Sequence, residues 1–438
     1  MPGAPTARSK LIFYGALALP LSFAGLPLYL HAPDFYATAL MQPIGLLGGI
    51  LMLLRVIDAL QDPLIGVLSD RFSRHRLEIV IGGGVLLLVG FAGLFNPKLS
   101  TLGEENPLTW FAISVLLCTT GFSIVTINYH AFGGLWNVSS SDRTRVTGIR
   151  EAFALLGILT ASILPAVLQD TFAPAPSFSL LTLILVPIFI VGVWLFYIWC
   201  RHQPIVSGRK VSGSQASGFI CLMRDRWARH FYGIFFVSSL ASAIPAVLVL
   251  FYIRDRLEAE QFSGLFLFTY FLSGALFLPV WQKIAVRTGK VKTWAISMSL
   301  AVATFLWAFT LSSGDILPFV CICVLSGSAL GADLAIPPAI IADRIVAQRD
   351  QQRAGRFFAA NAFCTKSALA LATGFSLPTL GALGYQPGQS LTSGVGLSLA
   401  LAYALVPCII KVISAVWLLR VLPVLDGPKS FEEPLRST

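Results

Sequence analysis

Charged residues are scarce in this chain of 438 residues. Only 12% are Asp, Glu, Lys or Arg, whereas soluble globular domains carry roughly 25%. Hydrophobic residues make up 56% of the chain, more than one soluble core can bury. This imbalance excludes an ordinary soluble domain and predicts an integral membrane protein with apolar surfaces in contact with the lipid bilayer.

The motifs of several enzyme classes are missing as well. The chain has no Gly-x-x-x-x-Gly-Lys-Ser/Thr sequence to cradle phosphates and no His-Glu-x-x-His sequence to hold zinc. Its seven cysteines include no Cys-x-x-Cys pair and lie mostly in apolar runs, which predicts packing residues rather than disulfides or metal ligands. We therefore expect neither an ATP-driven machine nor a zinc enzyme, and no cofactor beyond a possible coupling ion.

Long apolar runs are abundant instead. A membrane-spanning helix needs about 20 mostly apolar residues, and the chain has twelve such stretches, which predict an all-α membrane protein of two six-helix pseudo-repeats. The predicted domains are an N-terminal bundle over 1–200, a cytoplasmic middle loop over 201–228, and a C-terminal bundle with a short tail over 229–438. We place spans 1 to 12 near 11–30, 43–68, 77–95, 108–135, 150–168, 178–199, 230–251, 261–285, 293–311, 317–341, 356–380 and 396–421.

Basic residues are distributed unevenly about these spans. Of the 31 Lys and Arg residues, 25 fall on the side of the two termini, three on the opposite side and three inside spans. Because cytoplasmic loops carry an excess of Lys and Arg, both termini are expected in the cytoplasm of a bacterial-type inner membrane. This topology also accounts for the net charge of +10 without a nucleic-acid partner.

Span 2 contains three charges, Arg55, Asp58 and Asp62. Their spacing places them on one helix face, with the two carboxylates one turn apart. A charge at the bilayer centre costs roughly 2.5–3.5 kcal/mol, so it needs a reason to persist. One carboxylate could pair with Arg55 and merely pin two helices. The second leaves an excess negative charge, which favours a binding site for a coupling cation, H⁺ or Na⁺.

Other spans also carry charges. Lys366 in span 11 needs an anionic partner, and the two carboxylates of span 2 are the nearest candidates across the halves. Lys411 in span 12 is interpreted as structural, with an ammonium group that snorkels towards a surface. Asp333 in span 10 lies near Pro337 and Pro338, which interrupt the helix, so that it could line a cavity.

The two halves resemble each other in sequence. Residues 62–76 and 278–292 each form a basic turn after the second span of their half, and 143–157 and 352–366 each open the fifth span. Matched basic turns indicate an internally repeated transporter fold with its site between the halves near the midplane.

Three segments also resemble a known family: "DALQDPLIGVLSDR", "NYHAFGGLWNVSSSDRTRVTGIREAF" and "GADLAIPPAIIADRIVAQRDQQRAGRFFAANAFCTKSALALATG". They are similar to segments of the glycoside–pentoside–hexuronide:cation symporters, the melibiose permease relatives in the major facilitator superfamily. The likeness covers most of the chain. It implies a twelve-helix fold that works by alternating access, with a sugar or glycoside as the default solute.

The resemblance also implies roles for individual residues. The matching carboxylates that bind the coupling cation are Asp58 and Asp62, with Arg55 and Lys366 beside them. The turn "GVLSDRFSRHR" is similar to the helix 2–3 gate of the superfamily, which assigns cytoplasmic gating contacts to Asp70, Arg71 and Arg74. Arg150 falls near the helix 5 arginine of the family, although Glu151 beside it leaves the register open.

The chain departs from the sugar-binding members of this family. Ser22 and Thr126 stand where those members place carboxylates, and His130 stands where they place a tryptophan. Sugars are held by charged acceptors and an aromatic plate, so these changes argue against a melibiose-like disaccharide. Asn128, Tyr129 and His130 could still form a polar patch in the cavity, or His130 could join two helices by a hydrogen bond.

The sequence thus predicts a secondary active transporter that couples import of a small solute to a cation, with the lipid bilayer as its surroundings. An exporter, or a carrier of a more apolar or amphipathic solute, is the alternative that the missing acids favour. A non-transporting scaffold or sensor has no use for the charged face of span 2. An intramembrane enzyme would need a nucleophile–base set, and the five histidines do not converge on one.

Overall fold

The computed structural model describes residues 7–38, 40–169, 174–203, 219–348, 350–385 and 393–426. Within these ranges the chain is helical and contains no strand, so the predicted all-α class is confirmed. Residues 204–218 of the predicted middle loop and the tail from 427 lie outside the described residues. The exact boundaries of the two bundles therefore stay a prediction.

The N-terminal half holds spans 1 to 6. Span 1 is an interrupted series in which a π-helical turn, Pro27–His31, joins α-helices. Prolines such as Pro27 remove a backbone donor and favour such an irregular turn. The helical bounds are Arg8–Gly15, Ala18–Leu26, Pro27–His31 and Ala32–Thr38 for span 1, then Ile44–Arg71, Arg76–Phe95, Pro107–Leu135, Ser140–Gln169 and Pro174–His202 for spans 2 to 6.

The C-terminal half holds spans 7 to 12. Spans 7 and 12 each include a π-helical turn, and the other four are continuous α-helices. Their bounds are Arg226–Phe251 with Tyr252–Arg256, then Ser263–Thr288, Lys290–Ala308, Ile316–Ala347 and Ala354–Ala382, and finally Ser393–Ala400, Leu401–Leu405 and Val406–Arg420. Short helices Thr101–Glu105, Phe219–Arg224 and Leu422–Asp426 lie between or after the spans.

Nine helices of the described part are long and apolar enough to cross a membrane by length and composition. Spans 1, 2 and 11 are not among them. Spans 2 and 11 carry the intramembrane charges Arg55, Asp58, Asp62 and Lys366. These charges interrupt the apolar composition of spans 2 and 11 and mark both spans as candidates for a site inside the membrane.

Close helix packing within each half depends on small residues. A Cβ atom on Gly121 of span 4 would lie 2.4 Å from the backbone nitrogen of Leu87 in span 3. Only glycine permits such an approach, as is common where membrane helices pack. The N-terminal half then completes its core with large aromatic side chains, including Tyr14, Trp136 and Trp199.

The two halves meet along span 2 with span 11, and along span 5 with spans 8 and 10. At Gly66 of span 2, an added Cβ would come within 2.5 Å of the Ala359 Cβ in span 11. We call the end of the bundle formed by the turns after spans 2, 4, 8 and 10 the basic end. The halves are joined by hydrogen bonds there and at mid-span, which closes the basic end in this structure.

Candidate functional site

Lys366 lies between the two carboxylates of span 2. Its Nζ is 2.8 Å from Asp58 Oδ1 and 2.9 Å from Asp62 Oδ1. Both aspartates are buried, and Asp62 has no exposed surface at all. The helices bring these groups together because span 11 of one half packs along span 2 of the other. The structure therefore unites three of the four residues that the sequence assigned to a cation site, and we call them the cation cluster.

Polar side chains that sequence analysis did not single out complete the cation cluster. Ser123 of span 4 accepts from Lys366 Nζ at 2.6 Å and donates to Asp58 Oδ1 at 3.1 Å. Gln61 donates to the same Asp58 oxygen at 2.9 Å, and its own oxygen accepts from Thr120 at 2.9 Å. Thr120 and Ser123 are three residues apart, which places them on one helix face. This spacing is the sequence feature from which their shared polar surface could have been predicted.

The cation cluster has an excess of acceptors. Asp62 Oδ2 is buried and has no hydrogen-bond partner among the described residues. Two carboxylates face one ammonium group, so Lys366 can neutralise only one of their two negative charges. Arg55, the fourth predicted member, is half-buried one turn before Asp58. A buried acceptor beside excess negative charge can receive a proton or a small cation.

Asp70 holds the two halves together at the basic end. Its carboxylate accepts from the backbone N–H groups of Gly355 and Arg356, at 2.7 and 3.1 Å, where span 11 begins. A carboxylate at a helix N-terminus satisfies free backbone donors and complements the helix dipole. Two guanidinium groups add ion pairs of 3.3 Å each, from Arg76 and Arg356. The predicted gate residue Asp70 thus makes contacts across the halves.

The two arginines predicted beside Asp70 lie elsewhere. Arg71 and Arg74 are exposed, and Arg71 lies 5.8 Å from the Phe72 ring. Arg71 is the last residue of helix Ile44–Arg71, and Arg74 lies in the 3₁₀ turn Ser73–His75 that follows it. Arg76, which opens the next helix, points inwards and takes the ion pair instead. Gating roles for Arg71 and Arg74 stay a prediction that no described contact supports.

A second set of contacts at the basic end was not predicted. Asp343 of span 10 pairs with Arg143 of span 5 at 2.7 Å, across the halves. It also pairs with Lys290 at 2.5 Å and accepts from Ser140 at 2.8 Å. Arg143 and Lys290 lie in the basic segments that match between the halves, but the sequence does not specify that both meet Asp343.

The residues proposed for a polar patch in span 4 point in different directions. Tyr129 is buried in the N-terminal core, where its hydroxyl donates to the Tyr14 carbonyl at 2.7 Å. Asn128 is also buried and accepts from Ser69 at 2.7 Å. Only His130 meets the other half, where its ring is edge-on to Phe358 at 5.9 Å. Tyr129 is therefore not part of such a patch, because it packs in the core of its half, and the patch stays a prediction for Asn128 and His130.

The remaining solute candidates of the N-terminal half are spread out. Arg150 is buried and held by its neighbour Glu151, with a shortest distance of 2.5 Å. Ser22 and Thr126 are both half-buried. The hydroxyl of Thr126 is buried without a hydrogen-bond partner in the described part of the chain. The structure does not gather these groups into one cluster.

Asp333 and Lys411 form a second buried pair. Lys411 Nζ lies 2.5 Å from Asp333 Oδ2, and its side chain is only 5% exposed. The snorkelling interpretation of Lys411 is therefore wrong, because the nearby carboxylate and two serine hydroxyls solvate the ammonium inside the half. Asp333 also accepts from the Trp294 indole at 3.0 Å. Asp333 lines a cavity inside the C-terminal half, and its predicted place in a solute cavity between the halves stays a prediction.

Comparisons with known proteins identify relatives of the chain. The chain is 23% identical over 386 residues, 84% of its length and 82% of the relative's, to the uncharacterized symporter YjmB of Bacillus subtilis (strain 168). It is 27% identical to the inner membrane symporter YicJ of Escherichia coli (strain K12), over 31% of this chain and 30% of that protein.

Two solved transporters share the fold. A bacterial homologue of the iron transporter ferroportin, in an outward-facing state, matches with a TM-score of 0.69 and 16% identity over 94% of this chain and all of that one. The fucose:proton symporter FucP of E. coli matches with a TM-score of 0.62 and 16% identity, over 93% and 97% of the two chains. Residues 11–424 match the family described as MFS/sugar transport protein, and the chain belongs to that family of membrane transporters.

Proposed function

We propose that the protein is a secondary active transporter that couples the movement of a small solute to a cation, H⁺ or Na⁺, by symport. The observation that carries the proposal is the cation cluster, in which Lys366 of one half bridges Asp58 and Asp62 of the other. The symporters among its relatives and the fucose:proton symporter among its structural neighbours support the same function.

A cation has a clear reason to bind the cation cluster. The free Oδ2 of Asp62 and the hydroxyl of Ser123 are oxygen ligands next to excess negative charge. Hard cations prefer oxygen ligands, and a proton satisfies a buried carboxylate equally well. A cation that enters between the carboxylates competes with the Lys366 ammonium for the same oxygens.

This competition links the cation to the motion of the halves. Lys366 belongs to span 11, whereas its partners lie on spans 2 and 4. When the cation binds the carboxylates in place of Lys366, the ion pairs of Lys366 with Asp58 and Asp62 across the halves break. A ligand changes a conformational equilibrium only through different contacts in the two states, and the bridging lysine supplies such a difference.

The distribution of basic residues supports an orientation in which the basic end and both termini face the cytoplasm of a bacterial inner membrane. In that orientation the contacts of Asp70 and Asp343 form a closed cytoplasmic gate. Coupled import then begins from the opposite side, where the solute and the cation enter together.

The experiment is a titration of the purified protein in nanodiscs with Na⁺, and separately with pH, read by tryptophan fluorescence. The chain has nine tryptophans for the signal. We expect a saturable response to one of the two cations in the wild type and its loss in Asp62→Asn, because the variant removes the charge but keeps the volume of the side chain.

The matched control is the double variant Asp333→Asn/Lys411→Met. It neutralises the other buried Lys–Asp pair, which lies entirely within the C-terminal half, and should keep the cation response. An unchanged response in both Asp58→Asn and Asp62→Asn would refute the assignment of the cation cluster. A response to pH alone identifies a proton-coupled carrier, and a response to Na⁺ a sodium-coupled one.

A further inference from the structure

The C-terminal half contains a cavity of about 160 Å³ between spans 7, 8, 9, 10 and 12. Aromatic rings form much of its wall, among them Tyr270, Phe271, Phe305 and Phe319. An engineered protein cavity of about 150 Å³ accepts one benzene molecule. The cavity is therefore large enough for a single six-membered ring.

The Asp333–Lys411 pair is the charged feature of this wall. All three ammonium donors of Lys411 have partners: Ser238 Oγ at 2.8 Å, Ser242 Oγ at 3.0 Å and Asp333 Oδ2 at 2.5 Å. Asp333 Oδ1 accepts from Trp294. Each carboxylate oxygen can accept a further hydrogen bond, and Asp333 is more exposed than Lys411, 19% against 5%. Of this pair, Asp333 therefore has free hydrogen-bonding capacity, and it can be used only by a donor.

The pair also limits the charge of a ligand. One carboxylate and one ammonium balance each other, so neither a cation nor an anion gains from net attraction. An anion would have to displace an existing partner of Lys411, and a cation would compete with Lys411 for Asp333. A neutral ligand with a hydroxyl donor avoids both costs.

The apolar wall limits the number of polar groups on a ligand. The Ser326 hydroxyl, another polar group of the wall, already donates to the Ile322 carbonyl. A polyhydroxylated ring would place several hydroxyls against phenyl rings, where each unpaired polar group loses its hydration without compensation.

We propose that this cavity binds a neutral, single-ring solute that is mostly apolar and carries one hydroxyl donor directed at Asp333. The inference rests on the proposed transport function and names its solute class, and it differs from the sugar that the family suggests. Because binding to the cavity precedes transport, it can be measured without a cation gradient.

A probe series with one ring tests the chemistry directly. Cyclohexanol carries one donor, methylcyclohexane has none, cyclohexanecarboxylate is an anion, and myo-inositol is a polyhydroxylated ring. Each is titrated into the wild-type protein in nanodiscs and read by tryptophan emission, since Trp294 contacts Asp333. We expect saturable binding of cyclohexanol, at least about tenfold weaker binding of methylcyclohexane, and no saturable response to the other two.

Two variants locate the binding. Ala246 lines the cavity and is exposed, so Ala246→Phe should fill the space and remove cyclohexanol binding. Val286→Phe, at a position 64% exposed on span 8, adds the same ring at the surface and should leave binding unchanged. It also corrects for partition of the probe into lipid. Retention of the cation response in Ala246→Phe shows that the variant is folded.

The outcomes separate this inference from the proposed function. It is overturned if cyclohexanol gives no saturable response, if myo-inositol binds as tightly as cyclohexanol, or if Ala246→Phe binds like the wild type. A cation response without cyclohexanol binding refutes the cavity and leaves the proposed function in place. Cyclohexanol binding without any cation response supports the cavity and refutes cation coupling.

Discussion

Two lysine–aspartate sites lie at mid-span in the described part of the molecule, and they differ in charge balance and in location. The cation cluster places Lys366 between two carboxylates contributed by the opposite half. The second site pairs Lys411 with one carboxylate, Asp333, inside the C-terminal half.

This difference separates two roles for the same side chains. The Asp333–Lys411 pair has no net charge and lies within one half. It can shape a cavity, but it does not attract a cation or connect the two halves. An unbalanced trio across the halves has a reason to bind a cation and a connection to conformational change. The predictions that follow test this contrast in order of decreasing expected effect.

The largest effect is expected for removal of a carboxylate from the cation cluster. Asp58→Asn or Asp62→Asn should weaken cation binding by about 100-fold or more, because loss of one buried charged partner costs about 3 kcal/mol. The measurement is the midpoint of the Na⁺ or pH titration. A shift of less than threefold in both variants would show that the cation binds elsewhere.

Loss of Lys411 should destabilise the protein strongly. Lys411→Met leaves Asp333 without its ammonium partner inside the half, at a cost of about 3 kcal/mol. The double variant Asp333→Asn/Lys411→Met should recover most of this loss because no charge remains unpaired. Thermal unfolding in nanodiscs measures both. Equal instability of the single and double variants would contradict the balanced-pair interpretation.

Lys366→Met should behave differently from Lys411→Met. It leaves two carboxylates together, and a cation can replace the missing ammonium. The variant should be unstable without cation and should regain stability, by about 1–3 kcal/mol, as Na⁺ or H⁺ is added to saturation. The contrast fails if added cation stabilises Lys411→Met as much as Lys366→Met.

A smaller effect is expected at the basic end. Asp70→Ala removes a buried carboxylate that accepts two backbone N–H groups of span 11. It should open this end more than Asp343→Ala, whose carboxylate is 28% exposed and whose ion pairs are partly screened by solvent. Double electron–electron resonance between spin labels at the exposed positions 74 and 287 measures the distance between the two halves at this end. A larger shift in Asp343→Ala would reverse the assignment of the main contact.

The smallest effects are expected in the hydroxyl groups around the cation cluster. Ser123→Ala should weaken cation binding by about three- to tenfold, since Ser123 contacts both Lys366 and Asp58. Thr120→Ala should change it by about twofold or less, because Thr120 contacts only Gln61 in this cluster. The same cation titration ranks the two variants, and an inverted order would show that Gln61 rather than Ser123 lines the site.

Much of the fold was predictable because a bilayer imposes simple rules. Twelve apolar stretches predicted the spans, and two carboxylates in span 2 of one half with a lone lysine in span 11 of the other predicted the contact of Asp58 and Asp62 with Lys366. Both inferences use only hydropathy, helix periodicity and the cost of an unpaired charge in a membrane. The structure agrees with them at the level of side-chain contacts.

The rest depends on helix rotation and on pairing between distant residues, which one sequence does not specify. Tyr129 and His130 are neighbours, yet one faces the core of its half and the other faces Phe358. Lys411 and Asp333 lie 78 residues apart, so the position of one does not predict that it pairs with the other. Arg76, and not Arg71 or Arg74, pairs with Asp70 because the 3₁₀ turn Ser73–His75 separates the two helices and places Arg76 at the buried start of the second.

The most direct test of the central claim asks whether a cation at Asp62 changes the relation of the two halves. The distance between spin labels at positions 74 and 287, in a background with the native cysteines replaced, is measured with and without saturating cation. The wild-type distribution should shift towards longer distances, since release of Lys366 loosens the connection of span 11 to spans 2 and 4, and Asp62→Asn should show no shift. An unchanged wild-type distribution, or the same shift in Asp62→Asn, would contradict the claim that this cluster couples cation binding to transport.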